Sequence, residues 1–247
     1  VGEFAQLLAI PNLAADTANI RKNAEHIAQA LRERKVETKL LELEGAPPVV
    51  FGKLDVPGAT RTLTFYVHYD GQPTRQSGWT TEPFQPTLRR PDGSVVDLRS
   101  LPQRLDPESR LYARSASDDK APIIAILAAL DALRASGWQP NVNLRFFFEG
   151  EEEAGSPHLE ALLKTYQAEL KTDLWVICDG PVHQSGRKQV VFGVRGDQNV
   201  EVTVYGPKRP LHSGHYGNWA PNPAMLLARL LASMKDERGR VTIKGWY

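Results

Sequence analysis

Apolar and polar residues recur along this chain with two periods, and the changes between them mark its elements. Residues 3–13 have a helical pattern that Pro11 stops. Residues 15–34 repeat it, with Ile20, Ala24, Ile27, Ala28 and Leu31 as one apolar stripe. Residues 39–43 and 49–54 predict strands, and Asp55-Val56-Pro57-Gly58 predicts the turn after them. Residues 62–67 predict a further strand that runs into His68-Tyr69-Asp70-Gly71. Residues 72–111 are rich in Pro, Arg and turn formers, with a hairpin around Pro91-Asp92-Gly93. That is long for a structureless loop, so it reads as a functional or decorated one. A strong helix runs from Pro122, in its first turn, to Gly137. A strand over 141–148, a helix over 157–170 and a short strand over 174–177 follow. From Gly196 the pattern changes. Residues 200–205 alternate as a half-exposed antiparallel strand does, residues 221–234 are helical, and residues 241–243 predict a last strand. There is no internal repeat, and the boundary between the two patterns falls near residue 195.

The strand over 141–148 stands out because Phe146, Phe147 and Phe148 are apolar toward both faces, as in a strand covered on both sides. It runs directly into Glu149-Gly150-Glu151-Glu152-Glu153, so carboxylates collect at the end of a buried strand, ahead of a helix. Alone, such a run is usually a solvated face or a favourable helix start. Three other segments share its grammar: His68 and Asp70 after one strand, Asp118-Asp119 before the strong helix, and Asp179 after the strand over 174–177. Each has a plainer reading by itself. Asp118-Asp119 could cap a helix, and Asp179-Gly180-Pro181 could be a turn. Together they form a pattern, because parallel α/β architecture gathers strand ends on one edge, where ligands bind.

Composition narrows the partners. With 30 Lys and Arg against 29 Asp and Glu, the net charge is +1, and no basic run is interleaved with aromatics. Nothing draws nucleic acid or an anionic membrane. A single cysteine, Cys178, excludes an intramolecular disulfide and a Cys-rich zinc site. It fits a reducing compartment. No apolar run approaches the length of a membrane span, and no signal peptide is visible. The expected location is cytoplasmic, or periplasmic or secreted if an N-terminal signal was removed.

One histidine among several close carboxylates calls for a cation, because like charges at short range otherwise push some of their pKa values upward. His68 and Asp70 are two apart on an extended segment and point the same way. That suits a ligand histidine with a carboxylate on its other nitrogen. Imidazole with carboxylates and no thiolate admits Zn²⁺, Mn²⁺ or Co²⁺. Several carboxylates with spare oxygens suit a pair of divalent ions with one carboxylate bridging.

His68-Tyr69-Asp70, Ser117-Asp118-Asp119-Lys120, Glu149 to Ser156, Asp179 and Leu211-His212-Ser213-Gly214 resemble, in order, the motifs of the M20 metallopeptidases. These include dizinc dipeptidases, carboxypeptidases and N-acyl-amino-acid deacylases, and the resemblance is greatest to the dipeptidase branch that includes the carnosinases. The resemblance implies a three-layer αβα zinc-peptidase domain over 1–195 and the beginning of an inserted α+β, ferredoxin-like lid over 196–247. It implies two divalent metal ions, Zn²⁺ first. His68 and Asp179 would bind one, Glu153 the other, and Asp118 both, across a cis Asp118–Asp119 peptide. Asp70 would orient His68, Glu152 would be the general base, and His212 the oxyanion donor, often supplied by the partner subunit of a lid-mediated homodimer. Glu149 and Glu151 would be supporting residues. His26, His158 and His183 have no such context and read as surface residues.

The expected reaction is hydrolysis of a peptide bond in a dipeptide or short peptide with a free carboxylate. Deacylation of an N-acyl amino acid is the alternative enzyme reading, and a metal-binding but inactive fragment is the alternative outside enzymes. No residue matches the family's last histidine ligand, so the sequence is expected to correspond to about the first half of such an enzyme. Ala121 stands where the family usually has Gly, and the 72–111 segment is expanded.

Overall fold

The computed structural model describes residues 1–74, 78–180, 182–196 and 199–247. They form two compact units, Val1–Gly186 and Arg187–Tyr247.

The first unit opens with helices α1 (Gly2–Leu8) and α2 (Thr17–Glu33) and strands β1 (Glu37–Leu41), β2 (Val49–Leu54) and β3 (Thr62–His68). It continues with β4 (Thr87–Arg89), β5 (Val95–Val96), β6 (Arg110–Tyr112), α3 (Lys120–Ala135), β7 (Asn143–Glu149), α4 (Leu159–Thr165) and β8 (Leu174–Ile177). The main sheet has the order β1-β2-β7-β3-β8. Its two outer pairs on the β1 side are antiparallel, whereas β3 runs parallel to both β7 and β8.

Phe146, Phe147 and Phe148 are fully buried, and their alternation builds the three layers. Phe146 and Phe148 join the core under α1, α2 and α3, with Leu7, Ile20, Ile27, Leu31, Ile123 and Leu127. Phe147 faces the opposite way, against Leu162 of α4, Leu170 and Trp175. Cross-strand aromatic pairs fix the register: Phe65 stacks with Phe146 at 6.0 Å and Tyr66 with Phe147 at 6.1 Å. A one-residue slip would turn every one of these side chains to the wrong face. The register they enforce sets His68 directly opposite Glu149. Pairing continues past the strands through Tyr69 N–H to the Glu149 carbonyl (2.8 Å) and Cys178 N–H to the Tyr66 carbonyl (2.9 Å). Three parallel strands thus end on one edge, each at an acidic or histidine segment.

The expanded 72–111 segment carries its own three-stranded sheet, β5-β4-β6, with the expected hairpin between β4 and β5. Strand β6 has too few residues to show a period in sequence. Helix α1 stops at Leu8, earlier than the sequence suggested, because the residue before Pro11 is barred from helical geometry. The turn read at Asp179-Gly180-Pro181 ends on a residue outside those described.

The second unit contains α5 (Ser213–Tyr216) and α6 (Pro223–Ser233). Asn222 caps α6 by accepting from Ala224 N–H (2.9 Å), and Pro223 occupies the first turn. The strands expected over 200–205 and 241–243 do not form among the described residues. Val202 and Val204 keep their alternating partial burial, but no neighbouring strand bonds to them, and Val241 makes one isolated bridge, to Lys235. Alternation specifies a face, and a strand also needs a partner for its N–H and C=O groups.

Candidate metal centre

His68 is the last residue of β3 and its side chain is almost fully buried. Its Nε2 lies 3.0 Å from Asp118 Oδ1, 3.6 Å from Asp179 Oδ2 and 3.8 Å from Glu152 Oε2. Ligand-type atoms of His68, Glu152 and Asp179 all fall within 4.8 Å of one another. The three carboxylates come from three segments: the α3 N-terminus, the turn after β7 and the end of β8. Their side chains are 66%, 39% and 35% exposed for Asp118, Glu152 and Asp179, against 1% for His68. The imidazole is therefore the floor and the carboxylates the mouth.

The other ring nitrogen, Nδ1, faces Asp70, at 3.4 Å from Oδ1 and 3.3 Å from the carbonyl oxygen. The Asp70 carboxylate also accepts from Glu152 N–H and Glu153 N–H, each at 3.0 Å. One buried carboxylate thereby fixes the histidine and the 3₁₀ turn Glu152–Ala154 together. Burial disfavours the charged imidazolium, but the hydrogen bond and charge of Asp70, then Asp119 and Glu152, outweigh it and raise the His68 pKa to about 10. Burial also raises Glu152, with neighbouring carboxylates adding to it and His68 opposing.

Asp119 precedes α3 but makes no side-chain cap, so the plain helix-cap reading fails. It is buried, and its carboxylate accepts from His68 N–H at 3.3 Å. Burial is the main influence that raises its pKa, to about 7. The Asp118–Asp119 peptide is cis. Glu153 stands apart from the His68 cluster, with Oε2 accepting from Gln72 Nε2 at 2.5 Å. His212 lies in the second unit, immediately before α5.

The remaining acidic residues have structural partners. Glu149 is buried and accepts from Tyr66 OH at 2.6 Å. Glu151 is buried and holds His158 through N–H (3.0 Å) and Nδ1 (2.9 Å). His158 is thus half of a buried-carboxylate pair, where the sequence suggested only a surface residue. Gly150 between them is required sterically, since a Cβ there would lie 2.5 Å from the Tyr69 hydroxyl.

Two residues to which the sequence assigned no role, Asn12 and Lys120, hold the site from below. Asn12 is buried, and its Nδ2 donates to the Tyr69 carbonyl (2.7 Å) and Ser115 Oγ (2.9 Å), bridging the segments that carry His68 and Asp118. Lys120 is fully buried, and its Nζ donates to the Leu7 and Ile10 carbonyls at 2.9 and 3.2 Å. Lys120 could have been suspected from its place after Asp118-Asp119. Nothing in the local sequence marks Asn12. An apolar cleft of about 1030 Å³ runs from Asp118, Asp119 and Asp179 along α3 to Leu133 and Pro140.

Comparison with known proteins identifies the family. Residues 64–236 match the description Peptidase family M20/M25/M40. The chain is 31% identical over 260 residues to the Cys-Gly metallodipeptidase dug1 of Schizosaccharomyces pombe, covering 99% of this chain and 51% of that protein. It is 32% identical over 204 residues to the Beta-Ala-His dipeptidase of Homo sapiens, covering 81% and 37%. Among solved structures, the M20 family metallo-carboxypeptidase Sso-CP2 from Sulfolobus solfataricus superposes with a TM-score of 0.76 at 30% identity, over 99% of this chain and 51% of that one. The chain thus spans about half the length, or less, of the relatives it matches. Among the described residues, no helix is long and apolar enough to cross a membrane.

Proposed function

Because the chain belongs to peptidase family M20/M25/M40, we propose that it takes part in metal-dependent hydrolysis of the peptide bond in dipeptides or short peptides with a free carboxylate. The observation that carries this reading is one buried imidazole facing carboxylates from three separate segments. The donor set fits divalent cations. It offers one imidazole nitrogen and carboxylate oxygens without thiolate, with ligand atoms of His68, Glu152 and Asp179 within 4.8 Å of one another. The relatives named for Cys-Gly and β-Ala-His dipeptides support the substrate class.

In this reading His68 and Asp179 would hold one divalent ion, Glu153 a second, and Asp118 would serve both, with Zn²⁺ first and Mn²⁺ or Co²⁺ as alternatives. When bound, the ions supply Lewis acidity that polarises the scissile carbonyl and acidifies water. Asp70 keeps His68 in register and, through two N–H groups, keeps Glu152 beside it. Glu152 takes the proton from the attacking water. It then returns the proton to the leaving amine. His212 donates to the oxyanion. Residues 1–195 would be the N-terminal part of the catalytic domain and 196–247 the beginning of an α+β lid through which the protein would form a homodimer. A cytoplasmic location is part of this reading and rests on the lone thiol of Cys178.

The test is metal content and hydrolysis of dipeptides and N-acyl amino acids by the protein and its Glu152→Gln variant. The variant should retain metal and lose about 10²–10⁴-fold in turnover. Unchanged turnover removes Glu152 as base. Preference for N-acyl amino acids would favour the deacylase reading. If metal is not bound and neither substrate class is hydrolysed, the enzyme reading falls.

A further inference from the structure

The turn that carries His212 is built so that one ring nitrogen is spoken for. His212 Nδ1 accepts the N–H of Gly214 at 3.1 Å. A backbone amide only donates, so Nδ1 is the unprotonated nitrogen and the neutral ring carries its proton on Nε2. The opposite tautomer would set two donors against each other. Gly214 makes the contact possible: a Cβ there would lie 2.9 Å from Cε1 and 3.1 Å from Nδ1 of His212. The backbone of His212 is fixed as well, because its carbonyl accepts from His215 N–H (3.1 Å) and Tyr216 N–H (3.0 Å). The His215 ring lies 4.9 Å from the His212 ring, and Tyr216 stacks on Trp219 at 5.7 Å, so aromatic side chains back the turn.

We propose that Gly214 is a positioning residue that locks His212 in the Nε2–H tautomer, so that the side chain presents a neutral hydrogen-bond donor to an oxygen of the substrate. This deepens the reading of His212 as oxyanion donor and rests on it. The lock matters because the alternative tautomer leaves a lone pair on Nε2, which repels a substrate oxygen. A donor whose tautomer is set beforehand needs no reorganisation when charge develops.

Long-range ¹H–¹⁵N correlation spectra of the ¹⁵N-labelled protein, at a pH where the His212 ring is neutral, report its tautomer directly. The expected result is the Nε2–H form for His212 in the native protein and in His215→Ala. Gly214→Ala should give a tautomer mixture, with kcat falling by about two- to five-fold, in proportion to the lost Nε2–H population, and KM little changed, whereas His212→Ala should show the about 10²–10³-fold loss of a removed oxyanion donor. A native ring in the Nδ1–H form, or an even mixture, overturns the lock and needs no variant to fold. A native-like spectrum in Gly214→Ala overturns the role of Gly214. A locked native ring with unchanged turnover in His212→Ala overturns the donor role instead, so the two failures are distinguishable.

Discussion

Replacing Lys120 with Met should flatten a rise of stability with pH that the native lysine imposes. The Lys120 ammonium group is fully buried, bonded only to the Leu7 and Ile10 carbonyls, and burial lowers its pKa from 10.5 to about 7. At about 1.36 kcal/mol per pH unit, that gap is a cost of order 5 kcal/mol when the chain folds at pH 7 or below. The sign follows from proton counting. Between about pH 7 and 10.5 the unfolded chain binds one proton that the folded chain does not. Stability therefore rises with pH through this window, by about 1.4 kcal/mol per unit, and the penalty is gone above the unfolded pKa. Methionine has similar bulk and no proton to bind. It also leaves two carbonyls unpaired, at about 1–3 kcal/mol each, but that cost moves the whole profile and leaves its slope alone. The assay is urea unfolding of both proteins at fixed metal concentration from about pH 7 to 10. The difference between them cancels the groups they share and should grow by about 4 kcal/mol over those three units. Parallel profiles would refute the argument and would mean that Lys120 stays charged in the fold.

Asp70→Asn should weaken divalent metal binding by about 10–100-fold, because an amide cannot accept from His68, Glu152 and Glu153 together. Calorimetric titration with Zn²⁺ measures it, and an unchanged isotherm would show that Asp70 does not orient the ligand. Asn12→Ala should lower stability by about 1–3 kcal/mol in chemical unfolding, since it strands the Tyr69 carbonyl and the Ser115 hydroxyl in the interior. A loss no larger than that of a surface substitution would place Asn12 outside the support of the site.

The parts of this protein that were legible in sequence are those governed by local periodicity and by strand ends. Phe146, Phe147 and Phe148 specified a strand covered on both faces, because only such a strand hides three consecutive aromatics. His68, Glu152 and Asp179 could be grouped in advance, because parallel strands bring their ends to one edge, and Asp118 joined them as the carboxylate ahead of α3. Within Glu149 to Glu153, Glu149 and Glu151 are buried against Tyr66 and His158.

What needed tertiary structure has a common cause. Asn12 and Lys120 act over more than 100 residues of chain on Ser115, Leu7 and Ile10, and no periodicity encodes a contact at that separation. Asp119 looked like a helix cap and proved to be a support for His68, because a carboxylate takes whichever donor the fold offers. The pattern over 200–205 was read correctly as alternation and wrongly as a strand, since pairing belongs to the neighbour as much as to the segment. Sequence alone determined where the histidine and carboxylates fall, after β3, β7 and β8 and ahead of α3. The packed structure decided which carboxylates face His68 and which are occupied behind it, because burial and hydrogen-bond partners exist only once the layers have closed.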